Sequence, residues 1–321
     1  MHHFIDLLQS FEQKFSGPHF PESPSTLYTP AEYILKLGGK RVRPVCVLMG
    51  NELFEEINSD SYHVATAVEL FHNFSLIHDD IMDKAPLRRG METVHTKYGE
   101  PTAILAGDVM LVQAYEYLNK IHPDHLQKIL GLFTKTAKEV CEGQQLDMDF
   151  ESKETVFLSE YIKMITLKTS VLLAASLQLG AIVGGAGEAS QNHLYSFGKN
   201  LGIAFQIQDD YLDAFGDPEK FGKQIGGDII ANKKTFLMIH VLETASQEQL
   251  KELQELIKNN PSDKVERVLN IFRACKVDEW ARSLKEHYLN NAFQNLEDIP
   301  VVSSRKKPLY ELAEYLIQRD R

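Results

Sequence analysis

The fold is decided by residues 72–90, which read HNFSLIHDDIMDKAPLRRG. Apolar residues at helical spacing lead into three aspartates, and the chain breaks at Pro86 before a pair of arginines. Because each helical residue turns by about 100°, Asp79 and Asp83 lie one turn apart on one face. Like charges at that spacing repel each other, so their presence on an apolar helix indicates a bound cation. Carboxylate oxygens without cysteine or a dense histidine cluster suit a hard ion such as Mg²⁺.

A second stretch, residues 206–213, reads QIQDDYLD and repeats the same spacing. Asp209 and Asp213 again share one face of an apolar helix. One acidic cluster is commonly a solvated helix end, but two clusters of identical spacing within apolar helices are poorly explained in that way. Facing each other across a helical bundle, they would supply metal sites from opposing walls.

The composition limits the classes of function. The chain of 321 residues is 43% hydrophobic and 25% charged, which is ordinary for a globular protein with a large core. Its net charge of −11 argues against general nucleic-acid binding, since that needs a basic face. Anionic small substrates stay open, because bound metal ions invert the local field of a carboxylate site.

The helical periodicity and the proline and glycine breaks predict an all-α protein, with residues 1–321 in a single domain and no convincing strand. A polar link is expected at 147–157 and a glycine- and lysine-rich loop at 216–233, followed by four or five shorter helices. The helices expected before them cover 3–16, 30–37, 44–54, 60–83, 101–121, 123–145, 158–183 with a break near 166–169, and 188–215.

The sequence also predicts a cytoplasmic protein. The N-terminus lacks the basic and apolar regions of a signal peptide. The most apolar run, from Val171 to Gly187, is shorter than a membrane span and is expected to be a buried helix. The cysteines have no paired spacing, and we expect reduced thiols at Cys46, Cys141 and Cys275.

Lysine and arginine residues flank both acidic stretches. Paired arginines suit phosphate oxygens, because their guanidinium groups form bidentate hydrogen bonds. Acids, a hard metal and cations together indicate a site for more than one diphosphate group. His72 precedes Asp79 by seven residues and falls within about 20° of its helical face. The flanking cations are Lys40, Arg43, Arg88, Arg89, Lys168, Lys223 and Lys233.

With these residues assembled, the chain resembles the trans-isoprenyl diphosphate synthases of the polyprenyl synthetase family, from about Tyr28 to Lys234. The resemblance implies a helical bundle of the isoprenoid synthase type with a central cavity, and a homodimer. It also implies condensation of isopentenyl diphosphate with an allylic diphosphate, assisted by about three Mg²⁺ ions. The motifs that carry it are GKRVRP at 39–44, DDIMD at 79–83, RRG at 88–90, LAGD at 105–108, KT at 168–169, QIQDDYLD at 206–213, GK at 222–223, and GD at 227–228 with Lys233.

The resemblance implies a role for each position. Asp79 and Asp83 would bridge two Mg²⁺ ions to the allylic diphosphate. Asp209 would take a further ion with Asp213 assisting, and Asp147 resembles an outer metal contact. The isopentenyl diphosphate would be held by Lys40, Arg43, His72 and Arg89. The allylic diphosphate would be neutralised by Arg88, Lys168, Lys223 and Lys233, with Thr169 and Gln206 lining the space where the carbocation develops.

The residues before the first acidic cluster bear on product length. A growing prenyl tail would run along the apolar helix N-terminal to Asp79, so bulky residues there would act as a floor. The resemblance points to Phe74 and Ser75, and one aromatic beside a small residue is similar to C20 producers, with C15 next. Spacing alone places Ser75 on the Asp79 face and Phe74 about 140° around the helix, so ordinary core packing is an equally good interpretation of Phe74.

Three other functions are alternatives to condensation. A class I terpene cyclase resembles this chain in fold and first acidic motif, but its second metal motif is usually of the Asn/Ser/Glu type. Lys40 and Arg43, which a second diphosphate requires, also favour condensation. A non-catalytic partner subunit of a prenyl synthase would be expected to lack acidic positions that are intact here. A plain helical scaffold leaves the duplicated acids unexplained.

Overall fold

The computed structural model describes residues 1–216 and 226–317, and these are helical almost throughout, which confirms the prediction of an all-α fold. Within those ranges the strands are limited to one antiparallel pair, β1 (Leu87–Arg88) and β2 (Met91–Glu92). The helices are α1 (Phe4–Phe15), α2 (Ser25–Lys36), α3 (Val42–Glu52), α4 (Ser59–Met82), α5 (Val94–Tyr98), α6 (Glu100–Leu118), α7 (Pro123–Ser152), α8 (Leu158–Ile165), a π-helical segment (Thr166–Ser170), α9 (Val171–Val183), α10 (Glu188–Phe215), α11 (Gly227–Ile230), α12 (Phe236–Thr244), α13 (Gln247–Asn259), α14 (Lys264–Ala274), α15 (Val277–Glu297) and α16 (Ser303–Ile317).

The chain divides into two compact units, and the prediction of a single domain stays a prediction. Each unit is assembled from separate stretches of the chain. Unit 1 comprises Met1–Ala137, Leu172–Tyr195 and Ile299–Leu309, whereas unit 2 comprises Lys138–Val171, Ser196–Asp298 and Tyr310–Arg321.

Unit 1 is built around α4. Residues 64–71 of this helix are buried without a break, as expected for a helix that is apolar on all sides. The helix packs against α3 and α6. A Cβ atom on Gly50 of α3 would collide with the backbone of Leu177 in α9, so the glycine allows the two helices to touch. This packing fixes the carboxyl end of α4, which carries the first acidic cluster.

Unit 2 has its own hydrophobic core, formed by α8, α10 and the helices from α11 to α15. Phe236, Val241 and Leu253 are completely or almost completely buried in it. Tyr161 of α8 and Ile207 of α10 belong to the same cluster. The second acidic cluster and the π-helical segment are therefore held by packed helices of this unit.

The start of α2 differs from the sequence prediction, which placed Pro30 at the first helical position. The helix begins at Ser25, and Pro30 lies inside it. The backbone N–H groups of Leu27 and Tyr28 both donate to the carbonyl oxygen of Pro24, at 3.1 and 3.2 Å. This first turn forms ahead of Pro30, which removes one N–H donor from the helix without ending it.

The end of α7 also differs, because the polar link expected at 147–157 is helical as far as Ser152. The Lys234 ammonium group donates to the carbonyl oxygens of Phe150 at 2.7 Å and Glu151 at 3.2 Å. A cation that binds the last carbonyls stabilises a helix end. Lys234 is distant in the sequence, so local periodicity could not have indicated the extension.

One helical stretch among the described residues, Leu158–Val183, is long and apolar enough to cross a membrane by length and composition alone. Within its most apolar window 72% of the residues are buried inside the protein. Core helices commonly have this property, so the stretch is weak support for a membrane span.

Candidate active site

The first acidic cluster lies at the carboxyl end of α4. The Asp83 N–H donates to the Asp79 carbonyl oxygen at 2.8 Å, which confirms that the two residues are one helical turn apart. Asp83 caps the helix and is exposed, whereas Asp79 is partly buried. Two carboxylates here lie beside the negative end of the helix dipole. A bound cation would relieve this repulsion.

The middle aspartate of the cluster has a different role, because Asp80 is buried and paired with Arg88. The Arg88 Nε and Nη2 atoms donate to the two carboxylate oxygens of Asp80 at 2.8 and 2.7 Å. Such a bidentate pair fixes both side chains. Arg88, which the sequence assigns to the allylic diphosphate, thus also braces the loop that follows α4.

A basic pocket is formed in unit 1 by Arg43, His72 and Arg89. The Arg43 Nη1 atom lies 3.2 Å from His72 Nε2. Burial holds the pKa of His72 well below its ordinary value, and nearby guanidinium groups lower that pKa further. His72 is therefore neutral, with Nε2 accepting from Arg43 and Nδ1 carrying the proton. The guanidinium groups that lower its pKa belong to Arg43, Arg89, Arg88 and Arg41.

This basic pocket is bordered by two loops whose backbones adopt left-handed conformations. Gly38 has φ +75° and Gly39 has φ +151°, conformations that favour glycine. A Cβ atom on Gly39 would lie 3.0 Å from Arg89 Nη2, so the guanidinium group rests directly on this glycine. Arg89 itself has φ 54°. Lys40 follows Gly39 in the same loop and is exposed.

Arg41 lies buried next to the basic pocket. The sequence did not indicate a functional role for this residue. Its guanidinium group forms a buried ion pair with Glu69 and donates to the carbonyl oxygen of Leu35 at 2.9 Å. Asn73 donates to the same Glu69 carboxylate at 2.9 Å. A glutamate within the apolar face of α4 was the available signal, since a buried acid requires a partner.

Phe74 is buried in an aromatic cluster on α4. Its ring centroid lies 5.6 Å from that of Phe71 and 4.7 Å from that of His78. Ser75 is partly buried, and its hydroxyl donates to the His72 carbonyl oxygen at 2.8 Å. Phe74 thus lies one helical turn before His78 and contacts its ring. The role of Phe74 as a floor for the prenyl tail stays a prediction.

In unit 2 the break expected near residues 166–169 is a π-helical segment, Thr166–Ser170. Such segments are common at functional sites. The Lys168 ammonium group donates to Asp147 Oδ2 at 2.6 Å. Gly143 lies against this segment, and its added Cβ would lie 2.6 Å from the Leu167 carbonyl carbon. The structure thus brings together Asp147 and Lys168, which the sequence assigned to metal and diphosphate.

Thr169 and Gln206 also meet in unit 2. The Thr169 hydroxyl lies 3.4 Å from Gln206 Oε1, at the long end of hydrogen-bond distances. Gln206 Nε2 donates to Asp210 Oδ1 at 2.8 Å, and the Tyr161 hydroxyl donates to Asp210 Oδ2. Burial raises the pKa of Asp210 to about 7, and the hydrogen bond from Tyr161 opposes this rise. Neither Tyr161 nor Asp210 was assigned a role from the sequence.

Asp213 binds backbone in addition to any ligand. The Asp228 N–H donates to Asp213 Oδ2 at 3.0 Å, and the Gly226 N–H donates to the Asp213 carbonyl oxygen at 2.7 Å. Lys233 Nζ lies 3.8 Å from Asp228 Oδ1. The sequence motifs included Asp228 without giving it a role, and in the structure it contacts both Asp213 and Lys233.

Two further sequence-predicted residues are Asp209 and Lys223. Asp209 is partly buried on α10, one position before Asp210. Lys223 lies outside the described residues. Within residues 1–216 and 226–317, no group of three or more His, Cys, Asp or Glu side chains gathers closely enough to hold a metal ion.

Comparison with known proteins defines the class of protein. The model of the polyprenyl synthetase family matches residues 24–274. The chain is 40% identical over 302 residues to the geranylgeranyl pyrophosphate synthase of Geoglobus acetivorans, covering 93% of this chain and 92% of that protein. It is 32% identical over 317 residues to the geranylfarnesyl diphosphate synthase of Natronomonas pharaonis, covering 93% and 91%. A crystal structure of a geranylgeranyl pyrophosphate synthase matches with a TM-score of 0.94 at 42% identity, covering 99% of both chains.

This chain has the all-α fold of the isoprenoid synthases, as the match to that crystal structure shows. More specifically, this chain belongs to the polyprenyl synthetase family. The resemblance inferred from the motifs is therefore confirmed.

Proposed function

We propose that this chain is a prenyltransferase that condenses isopentenyl diphosphate head-to-tail with an allylic diphosphate. The observation that carries the proposal is the basic pocket of unit 1, where Arg43 and Arg89 surround a neutral His72. Guanidinium groups bind phosphate oxygens in a bidentate manner. The neutral imidazole adds one N–H donor through Nδ1. Together with Lys40, these residues would bind the isopentenyl diphosphate.

The carboxylates fit the Mg²⁺ that the family implies. Mg²⁺ prefers carboxylate oxygens to nitrogen or sulfur ligands, and Asp79 and Asp83 lie at the negative end of α4. Asp209 and Asp213 lie within the last two turns of α10 in the same way. Of about three ions, we assign two to Asp79 and Asp83. The other is assigned to Asp209 with Asp213 assisting, and Asp147 is an outer contact. When bound, Mg²⁺ would stabilise the negative charge on the departing diphosphate.

The remaining cations would neutralise the allylic diphosphate. A hydrogen bond to Asp147 orients the Lys168 side chain. Two hydrogen bonds to Asp80 orient the Arg88 side chain. Such partners hold the charged groups in place before substrate binds, which lowers the cost of binding. Lys223 and Lys233 are assigned to the same diphosphate.

The chemical step requires charge stabilisation and alignment. Breaking the allylic carbon–oxygen bond leaves a diphosphate anion and an allylic cation, which the Thr169 and Gln206 oxygens would stabilise by their dipoles. The isopentenyl double bond then attacks the cation, and a proton leaves to the departed diphosphate. Holding both substrates in line would supply much of the rate.

We further propose a C20 product. Phe74 beside the small Ser75 supports it, because one aromatic floor would stop the tail after a limited length. Relatives named for geranylgeranyl and geranylfarnesyl products favour C20 or longer over C15. A terpene cyclase and a non-catalytic subunit are not favoured, because both Asp-Asp-x-x-Asp clusters are intact.

We also propose a homodimer that uses α6. Three large apolar residues on this helix, Ile104, Leu105 and Val112, are exposed. Leu105 and Val112 are two turns apart and share one face. An exposed apolar stripe of this kind is typical of a protein interface.

Loss of either acidic cluster tests the assignment of the catalytic carboxylates. Asp79→Ala and Asp209→Ala should each abolish most turnover, while circular dichroism shows that both variants fold. Near wild-type turnover of either purified variant with Mg²⁺ present would contradict the assignment.

A further inference from the structure

Gln206 lies within a hydrogen-bonded chain that runs from the π-helical segment into the core of unit 2. Its amide nitrogen donates to Asp210 Oδ1 at 2.8 Å. The second oxygen of that carboxylate, Oδ2, accepts from the Tyr161 hydroxyl. On the other side, Gln206 Oε1 lies 3.4 Å from the Thr169 hydroxyl. The three links run from the buried core to the π-helical segment.

This chain selects one orientation of the Gln206 amide. In its ionised form Asp210 only accepts hydrogen bonds, so the NH₂ group of Gln206 must then face the carboxylate. The carbonyl oxygen must then face Thr169, because the two ends of the amide point apart. With a neutral hydrogen-bonding partner in place of Asp210, either orientation would be satisfied.

Tyr161 in turn fixes the Asp210 carboxylate. Only 2% of Tyr161 and 7% of Asp210 is exposed, so water has little access to compete for their hydrogen bonds. The Tyr161 ring packs 5.8 Å from that of Phe236, which is fully buried. A rigid donor in the core thereby holds Oδ2, and the other oxygen is left to orient Gln206.

We propose that Tyr161 and Asp210 are positioning residues that aim the Gln206 amide oxygen at the allylic group as positive charge develops. This inference rests on the proposed function. A dipole stabilises a transition state most when it is already oriented, because no reorganisation is then needed during the reaction. Tyr161 itself need not touch substrate, since it acts through Asp210 and Gln206.

The test is a double-mutant cycle between Tyr161 and Gln206. Tyr161→Phe removes only the hydroxyl group and should lower kcat roughly tenfold, with the KM values for both diphosphates unchanged. Gln206→Leu removes the amide, and adding Tyr161→Phe to it should then have little further effect on kcat. The matched control is Tyr288→Phe, which removes a partly buried hydroxyl elsewhere in unit 2 and should leave kcat unchanged.

The outcomes separate a positioning role of Tyr161 from a purely structural one. Equal losses from Tyr161→Phe in both backgrounds would show a structural effect and overturn the positioning role, as would unchanged kcat in Tyr161→Phe. If Tyr161→Phe does not fold, Asp210→Asn is measured in the same cycle, and it should also lose its effect when Gln206 is replaced. A folded wild-type protein that elongates no allylic primer would overturn the proposed function and this inference with it.

Discussion

At the scale of single residues, His72 shows how burial and charge set a protonation state. Its ring is surrounded by guanidinium groups, and both burial and these charges lower the pKa of the imidazole. A cationic histidine would add repulsion to the basic pocket. A neutral one leaves the pocket positive through its arginines and still donates one hydrogen bond.

The lowered pKa of His72 makes stability depend on pH. The unfolded chain binds a proton at His72 below its ordinary pKa of 6.5, whereas the folded protein resists protonation there. Stability from this residue is therefore complete above 6.5 and is lost as the pH falls below it. In urea unfolding at several pH values, His72→Gln should show a shallower loss of stability toward pH 5 than the wild type, roughly as this linkage requires. Parallel curves for the two proteins would contradict the prediction.

Phe74 provides the residue-scale test of product length. Replacement by alanine removes the ring that packs on Phe71 and His78, and should open space for at least one further isoprene unit. Chromatography of the products should show chains longer than those of the wild type. Phe71→Leu is the control, since it alters the same aromatic cluster but keeps Phe74. An unchanged chain length in Phe74→Ala would exclude the floor.

At the scale of elements, the π-helical segment and α7 form one structural feature of unit 2. Gly143 allows α7 to touch the backbone of Leu167 and Lys168. The same approach brings Asp147 within hydrogen-bond distance of the Lys168 ammonium group. The position of two candidate site residues thus depends on a glycine that carries no chemistry.

Gly143→Ala should separate these elements. Its Cβ would lie 2.6 Å from Lys168 Cα, with backbone that cannot move aside cheaply. The expected cost is about 1–3 kcal/mol of stability, together with a lower kcat. Gly131→Ala on the same helix is the matched control, because its Cβ meets nothing within 4 Å. Alanine there should stabilise by about 0.5–1 kcal/mol, and similar thermal melting of both variants would contradict the account.

Many of the helix bounds were predictable from the sequence. The features that were not predictable depend on contacts between different parts of the chain. The bounds of α4 and α10 and the break at 166–169 follow from local periodicity, and the structure agrees. The extension of α7 depends on Lys234, and the bracing of Arg88 depends on Asp80. The Tyr161–Asp210 link likewise joins residues on two different helices. Such contacts form only after the chain has folded, so no local pattern indicates them.

At the scale of the whole molecule, the acidic clusters and the cations serve one reaction under the proposed function. A net charge of −11 is compatible with diphosphate substrates because Arg43 and Arg89 gather around His72 in the basic pocket. The exposed stripe on α6 adds an expected contact with a second copy of the chain.

Introducing a charged residue into the exposed apolar stripe of α6 tests the proposed homodimer. Val112 is 65% exposed, and Val112→Lys should shift the protein to monomers in size-exclusion chromatography with light scattering, because burying a lysine in an interface is costly. Val302 is 66% exposed, and Val302→Lys should leave the dimer intact. Dimers of equal stability in both variants would rule out this interface.

The most direct test of the central claim is to size the products made by the purified wild-type protein. It would be incubated with Mg²⁺, labelled isopentenyl diphosphate and a C5, C10 or C15 allylic diphosphate, with a chelator as control. We predict labelled prenyl diphosphates that end mainly at C20 and disappear with the chelator. No elongation of any primer by the folded protein, or a cyclised hydrocarbon as the product, would contradict the account.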